Sequence, residues 1–283
     1  MKTYFECYSC FIKQAIQIAK MTGCNEYQQK QILNKVMKIL IKIDITLPPP
    51  MIAGKIEKII YSYSKVKDPY QEIKKKSNDE ALQLYPTLKK RLDRAKDKLK
   101  LVLKISAFGN VIDFAINNKI NLKKEIKEFD RLKIEFKKYN EFKEKIKDAK
   151  ILLIIGDNAG EIVFDKIFIE YLIEYKKDLK IFYAVREAPI LNDATMIDAK
   201  YIDLDKICNV ITSGNTAPGI NLKKCSKDFL DIFKKADIII SKGQGNYESL
   251  SENKSKKIYF LLKVKCEVVS RHLGIPIGKI VFI

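Results

Sequence analysis

The sequence predicts an α/β protein: a largely helical region, residues 1–150, is followed by an α/β/α domain with a mostly parallel, Rossmann-like sheet, residues 151–283. Two observations predict this arrangement. In the first part, apolar residues recur with helical spacing almost throughout. In the second part, short apolar runs typical of buried strands alternate with helical stretches, which is the βαβ pattern of a parallel, three-layered sheet.

The first 150 residues show a series of amphipathic helical patterns. The first two cover residues 10–19 and 29–43, and three prolines at residues 48–50 end the second. Further helices are expected at residues 53–64, 70–85, 89–108, 111–118 and 123–147.

The second part contains strand-like runs with helical stretches between most of them. The first run, ILLII at residues 151–155, is apolar throughout, as expected of a strand buried on both faces. The remaining runs lie at residues 180–185, 207–211, 237–241, 257–262 and 279–283. The last run ends the chain, and we expect it to lie within the sheet.

The chain of 283 residues carries a formal net charge of +19, concentrated in the helical part. Residues 1–150 hold 34 Lys and Arg against 18 Asp and Glu, whereas residues 151–283 hold 20 against 17. Only five of the 54 basic residues are arginine, the residue preferred for bidentate contacts with phosphates and bases. A solvated surface therefore explains the charge better than nucleic-acid binding. The sequence contains no long uncharged apolar run that would predict a membrane span or a signal peptide. We therefore expect a cytoplasmic protein.

The six cysteines are too sparse for a disulfide framework in a chain of this length. Cys7 and Cys10 have the spacing of a zinc or redox pair, but no second pair accompanies them. The single histidine, His272, is expected near a helix C-terminus capped by Gly274. The cysteine pair therefore does not define a metal centre by itself.

Polar residues follow each of the first four predicted strands, at residues 156–161 (GDNAGE), 186–195 (REAPILNDAT), 212–219 (TSGNTAPG) and 242–248 (KGQGNYE). The carboxyl ends of parallel strands meet at one edge of a sheet, where such folds bind ligands. There, Asp157, Asn158 and Asp193 supply hard oxygen ligands for a divalent cation. Thr212, Ser213 and the amides around Gly214 can hold phosphate oxygens, and Lys242 adds a positive charge. These are the groups that phosphoryl transfer requires.

Other sites with similar parts fit less well. Haloacid dehalogenase phosphatases carry an Asp-x-Asp signature, which the first loop lacks. A dinucleotide site would need a third glycine after Gly243 and Gly245, where the chain has Ser249. A methyltransferase of Rossmann type accommodates residues 156–160, but it leaves the second carboxylate and the lysine loop unexplained.

Together, the four loop motifs resemble the damage-control phosphatase family, also known as domain of unknown function 89. Three motifs in the helical part extend the resemblance over nearly the whole chain: CxxC at residues 7–10, DPY at residues 68–70 and GNVID at residues 109–113. The cysteine pair resembles the stand-alone microbial branch of that family. The resemblance implies a helical region packed on an α/β/α domain, with the active site in the crevice between them.

The resemblance also implies roles for individual residues. Asp157, Asn158 and Asp193 match the family's metal ligands, and Lys242 matches its phosphate-binding lysine. The implied activity is hydrolysis of small phosphorylated metabolites, such as sugar phosphates or damaged phosphometabolites, with Mn²⁺, Co²⁺, Ni²⁺ or Mg²⁺ as cofactor. Further residues expected to line the substrate pocket are Asn110, Asp113, Glu161, Arg186 and Asn246.

The hypothesis from the sequence is therefore a cytoplasmic, metal-dependent phosphatase in which Asp157 and Asp193 carry the chemistry. The attacking group can be a metal-activated water or Asp157 itself. Two alternatives are a S-adenosylmethionine-dependent carboxyl methyltransferase on the same sheet and a basic RNA-binding protein without enzymatic activity.

Overall fold

The computed structural model of the protein describes residues 1–64, 66–112, 121–255 and 257–283. Within them, seven strands form one sheet in the order β1-β7-β6-β5-β2-β3-β4. The strands are β1 Ile134–Phe136, β2 Ile151–Ile155, β3 Lys180–Val185, β4 Asn209–Thr212, β5 Ile238–Lys242, β6 Ile258–Lys263 and β7 Ile280–Phe282. Every neighbouring pair is parallel except β6 and β7, which are antiparallel. The predicted mostly parallel sheet is confirmed.

The helices lie before, between and after these strands. They are α1 Glu6–Met21, α2 Glu26–Ile41, α3 Pro49–Tyr63, α4 Gln71–Lys90, α5 Lys98–Phe108, α6 Leu122–Arg131, α7 Tyr139–Asp148, α8 Glu161–Tyr175, α9 Met196–Tyr201, α10 Lys227–Lys235, α11 Gln244–Leu250 and α12 Glu267–Leu273. The described part of the chain contains no helix that is both long enough and apolar enough to cross a membrane.

Helices cover both faces of the sheet, which gives the three layers that the sequence predicts. Helices α4, α5, α7 and α8 pack on one face, where Leu152 and Ile154 of β2 join Phe164 and Phe168 of α8 in the largest apolar cluster. Helices α10 and α11 cover the other face, toward which Leu153 points. Strand β2 is therefore buried on both faces, as its apolar sequence indicates.

Helices α1, α2 and α3 form a separate cluster with its own apolar core. Helix α3 packs against α11 at the edge of the sheet where the parallel strands end. Proline is well tolerated in the first turn of a helix, and Pro49 begins α3 here. The helical region is thus packed on the α/β/α domain as expected, and a cleft remains between them.

The expectation of a single helix over residues 123–147 is wrong. The chain forms α6, then the short strand β1, then α7. Phe136 of β1 packs against Phe282 of β7, with ring centroids 6.3 Å apart, and Glu135 pairs with Val281 in parallel register. Tertiary pairing with β7 overrides the local helical pattern, because secondary-structure propensity is only a weak preference. The division of the chain into two parts at residue 150 stays a prediction. The sheet contains β1 from before this residue and the other six strands from after it.

Candidate active site

The loop after β2 and the loop after β3 are bound together by their backbones. The amide of Ala194 donates to the carbonyl of Asp157 at 2.8 Å, and the amide of Ala159 donates to the carbonyl of Asn192 at 2.9 Å. Asn158 and Asp193 face each other in an isolated antiparallel bridge. The three predicted metal ligands, Asp157, Asn158 and Asp193, are therefore brought together at the carboxyl edge of the sheet. We call them the outer oxygen set.

Three of the residues expected to line the pocket come from other segments of the chain and hold this set in place. Arg186 is buried, and its Nε donates to Oδ2 of Asp193 at 2.6 Å. Its second nitrogen donates to Oδ1 of Asn246 at 2.9 Å, and Asn246 in turn donates to the carbonyl of Gly156. Asn110 reaches in from the end of α5 and donates to Oδ2 of Asp157 at 3.4 Å. Arg186, Asn246 and Asn110 thus support the outer oxygen set.

The lysine loop, residues 242–248, contains a glycine at position 243 for a steric reason. Its φ is +77°, and a Cβ built on it would lie 1.9 Å from Oδ2 of Asp157. Only glycine combines this backbone conformation with such close approach of a carboxylate. The KGQGN motif therefore makes room for Asp157 as well as contributing Lys242 and Asn246.

Lys242 occupies a different place from the one the sequence suggests. Its side chain is fully buried, and its Nζ contacts Oε1 of Glu161 at 2.6 Å and Oδ1 of Asp165 at 2.5 Å. We call Glu161, Asp165 and Lys242 the inner ion cluster. Asn110 connects the two groups, because its Nδ2 also donates to Oε2 of Glu161 at 2.7 Å. The ammonium of Lys242 is already surrounded by protein carboxylates, and its phosphate-binding role stays a prediction without a contact to support it.

The phosphate-binding residues predicted after β4 lie apart from the outer oxygen set. Strand β4 is the edge strand, and the hydroxyl of Thr212 donates to Glu187. The amide of Ser213 donates to the carbonyl of Val185, and a Cβ at Gly214 would meet the amide nitrogen of Ser226 at 2.5 Å. Thr212, Ser213 and Gly214 do not line the cavities beside the outer oxygen set, and their phosphate-binding role stays a prediction. The remaining predicted residue, Asp113, lies outside the described residues.

Two adjoining cavities open beside the outer oxygen set. The first, of about 400 Å³, contains Asp157, Asp193 and Glu248 together with Cys7 and Cys10 from α1. We call it the acidic cavity. The second, of about 320 Å³, contains Asn110, Lys263 and the apolar residues Ile73, Val111 and Ile112; we call it the basic cavity. Asn158, Asn192 and Lys265 line both.

The electrostatics of the acidic cavity reflect its buried carboxylates. Burial raises the pKa of Asp157 to about 6, and the neighbouring negative charge of Asp193 adds to the rise. Burial likewise raises the pKa of Asp193, whereas Arg186 opposes that rise. Lys265 opposes both increases, which places its positive charge near the two carboxylates. A cationic group would relieve this repulsion.

Lys265 and Lys263 are the functional candidates that the sequence reasoning missed. The backbone of Lys265 is fixed by its amide, which donates to Oε1 of Gln244 at 2.9 Å. Both lysines lie at the carboxyl end of the fifth strand predicted from the sequence, here β6. The sequence analysis considered the polar residues that follow the first four predicted strands. Including those that follow the fifth would have found both lysines.

The outer oxygen set has oxygen atoms free to bind a divalent cation. Within the described residues, no hydrogen-bond donor reaches Oδ1 of Asn158 or Oδ1 of Asp193, and Oδ1 of Asp157 has only a 4.0 Å contact with Arg186. No group of three or more His, Cys, Asp or Glu side chains in the described ranges is arranged to hold a metal ion. The candidate set instead combines two carboxylates with one amide oxygen, and these hard donors suit Mg²⁺ or Mn²⁺.

The fold and this cleft define the class: an α/β/α protein with a carboxylate-bearing site at the carboxyl edge of a parallel sheet. The family model described as damage-control phosphatase ARMT1-like domain matches residues 3–281. The chain belongs to this family, so the resemblance predicted from its motifs is confirmed. Its placement in the stand-alone microbial branch stays a prediction.

Individual relatives agree with this assignment along their whole length. A damage-control phosphatase of Pyrococcus horikoshii is 36% identical over 283 residues, which cover 99% of this chain and 97% of that protein. A damage-control phosphatase of Archaeoglobus fulgidus is 32% identical over 280 residues, covering 97% and 96%. The crystal structure of a DUF89 family protein from Pyrococcus horikoshii superposes with a TM-score of 0.92 at 34% identity and covers 100% of this chain and 99% of that one.

Proposed function

We propose that the protein is a divalent-metal-dependent phosphatase that hydrolyses monoesters of small phosphorylated metabolites. The observation that carries the proposal is the outer oxygen set, in which three oxygen-bearing side chains are held close together. Several of their oxygens accept no hydrogen bond from the described residues, and Lys265 lines the same cavity. Membership of the damage-control phosphatase family and the names of two relatives support the phosphatase class over the methyltransferase and RNA-binding alternatives.

In this proposal, Asp157, Asn158 and Asp193 hold the divalent cation. When bound, the cation supplies positive charge that stabilises the charge developing on the transferred phosphoryl group. The cation is Mn²⁺, Co²⁺, Ni²⁺ or Mg²⁺, all of which accept oxygen ligands. The cytoplasmic location expected from the sequence stays a prediction.

The chain's own side chains position the reacting groups. Arg186 fixes the carboxylate of Asp193 through the 2.6 Å hydrogen bond to Oδ2 and leaves Oδ1 free. Asn110 and Asn158 both donate to Oδ2 of Asp157, so its Oδ1 is the oxygen directed to the site. Lys265 is exposed and lines both cavities, which suits an ammonium that binds the phosphate of an incoming ester.

The test is hydrolysis of an aryl phosphate after chelator treatment, with each of the four metals added back singly. We expect activity to return with at least one metal in wild type and not in Asp157→Ala. The matched control is Asp178→Ala, which removes an exposed aspartate paired with Lys176 at 2.9 Å, away from the cleft. Metal-restored hydrolysis of equal rate in Asp157→Ala would overturn the proposal.

A further inference from the structure

The two cavities beside the outer oxygen set differ sharply in charge. The acidic cavity contains the carboxylates of Asp157, Asp193 and Glu248, and Lys265 is the basic residue among its described lining. The described lining of the basic cavity holds the ammonium groups of Lys263 and Lys265 and no carboxylate. An anionic part of a ligand is therefore attracted to the basic cavity and repelled by the acidic one.

The ammonium groups of the two lysines in the basic cavity are available for direct contact with a ligand. Within the described residues, the ammonium groups of Lys263 and Lys265 form no ion pair and no hydrogen bond. Lys263 is half-buried, so its charge is partly withdrawn from water. A half-buried ammonium without a partner is suited to bind an anion, because the charge-assisted hydrogen bond is stronger where water is scarce.

One side chain in the wall of the basic cavity connects it to the outer oxygen set. Asn110 uses its Nδ2 for Asp157 and Glu161, and its Oδ1 is buried without any hydrogen-bond partner. This oxygen has no surface open to the cavity, so it is not available to a ligand. The groups that the cavity offers to an anion are therefore the ammonium groups of its two lysines.

The positions of the two lysines relate the basic cavity to the outer oxygen set. Lys265 lies in the wall that both cavities share, near Asp157 and Asp193, whereas Lys263 lines the basic cavity alone. Side chains two residues apart on an extended strand point to the same side, about 7 Å apart. A phosphate bound beside Lys265 therefore leaves Lys263 free for a second group a short carbon chain away.

We propose that the substrates are phosphate monoesters that carry a second anionic group, and that Lys263 binds this group in the basic cavity. The inference rests on the proposed phosphatase function and adds the class of substrate and a specificity-determining residue. A carboxylate and a second phosphate share the chemistry that Lys263 recognises. The assay distinguishes the two by using substrates of each kind.

The central test compares 6-phosphogluconate with sorbitol 6-phosphate, which differ only in a carboxylate against a hydroxymethyl group at C1. We expect metal-loaded wild type to favour 6-phosphogluconate about 10- to 100-fold in kcat/KM, the range for one charge-assisted hydrogen bond. In Lys263→Met the preference should fall to within about threefold, because kcat/KM falls more for 6-phosphogluconate than for sorbitol 6-phosphate. Lys263→Arg should retain the preference.

The control variant is Lys257→Met, which removes a half-buried lysine from the opposite end of β6. Its Nζ donates to the carbonyl of Lys234 at 2.7 Å, outside both cavities, so the preference should not change. Mannitol 1,6-bisphosphate against mannitol 1-phosphate repeats the comparison with a second phosphate. A preference for only one of the two esters that carry a second anionic group identifies which anion Lys263 binds.

Failure of this inference and failure of the proposed function give different results. If aryl phosphate is hydrolysed but wild type treats the members of both pairs equally, the phosphatase stands and the substrate class is overturned. Equal losses for both members of a pair in Lys263→Met also overturn it. If no ester is hydrolysed with any metal, calorimetric binding of the same pairs decides, because equal affinities in wild type and Lys263→Met contradict a role for Lys263.

Discussion

The outer oxygen set and the inner ion cluster are neighbouring groups of buried carboxylates with different sources of positive charge. In the inner ion cluster, Lys242 contacts Glu161 and Asp165 within 2.6 Å. Burial lowers the pKa of Lys242, but the carboxylates of Asp165 and Glu161 together raise it above its ordinary value, so the ammonium stays charged. In the outer oxygen set, Arg186 pairs with Asp193, and among the described residues no cationic group lies closer to Asp157 than 4.0 Å.

This difference separates an architectural cluster from a binding one. A charge that the protein itself neutralises contributes to the fold and has no capacity left for a ligand. A carboxylate that is buried without a close cation is costly to the protein and is explained by a ligand that brings positive charge. The contrast supports a structural role for Lys242 and agrees with the proposal that Asp157, Asn158 and Asp193 bind a cation.

The largest effect is expected from breaking the inner ion cluster. Lys242→Met leaves Glu161 and Asp165 buried without their cation, and the free energy of unfolding should fall by about 3–5 kcal/mol. Urea denaturation measures this loss. Lys242→Met protein that unfolds within about 1 kcal/mol of wild type would show that the cluster is not architectural.

The next effect concerns the outer oxygen set. Asp157→Asn keeps the shape of the side chain but removes its charge, and we expect kcat with Mn²⁺ to fall about 10²- to 10³-fold, as for loss of one electrostatic group in an active site. The fold should persist, as circular dichroism would verify. Asp178→Asn is the control, and a loss in Asp157→Asn no larger than in this control would contradict the assignment.

A third prediction compares Lys265, which lines both cavities, with the buried Lys242 of the inner ion cluster. Lys265→Met should lower kcat/KM for an aryl phosphate about 10- to 100-fold, because one charge-assisted contact with the phosphate is lost. Its free energy of unfolding should stay within about 0.5 kcal/mol of wild type, since the side chain is exposed and unpaired. Steady-state kinetics and urea denaturation of the same preparation measure both quantities. Unchanged kcat/KM together with a clear loss of stability would contradict the prediction.

The smallest effect is a pH dependence from Glu161. Burial raises its pKa from 4.5 to about 7, although Lys242 opposes the rise. The folded protein therefore binds a proton more readily than the unfolded chain, and this contribution to stability is lost as pH increases from about 4.5 to about 7. The free energy of unfolding of metal-free protein should decrease over this range, less steeply in Glu161→Gln. Equal slopes in the two proteins would exclude this source.

Features carried by local sequence were predictable. The apolar run of β2, the polar ends of the parallel strands and the grouping of Asp157, Asn158 and Asp193 follow from periodicity and sheet topology. Strand β1 could not be predicted, because three residues acquire extended structure only by pairing with β7, more than 140 positions away.

The surroundings of Lys242 could not be predicted for a different reason. Whether a lysine faces a cleft or a buried carboxylate pair depends on which helix covers it. Lys242 lies beneath α5 and α8, where it also donates to the carbonyl of Ser106, and nothing near residue 242 in the sequence indicates this. Lys263 and Lys265, by contrast, both follow the predicted strand at residues 257–262 and could have been found from the sequence.

The pairing of β1 with β7 has a consequence for dividing the chain. A fragment that starts at residue 151 would lack β1 and leave β7 with one hydrogen-bonding edge unsatisfied. It would also lose α4, α5 and α7, which cover one face of the sheet. Unpaired strand edges and uncovered apolar faces recruit other chains, so we expect such a fragment to self-associate.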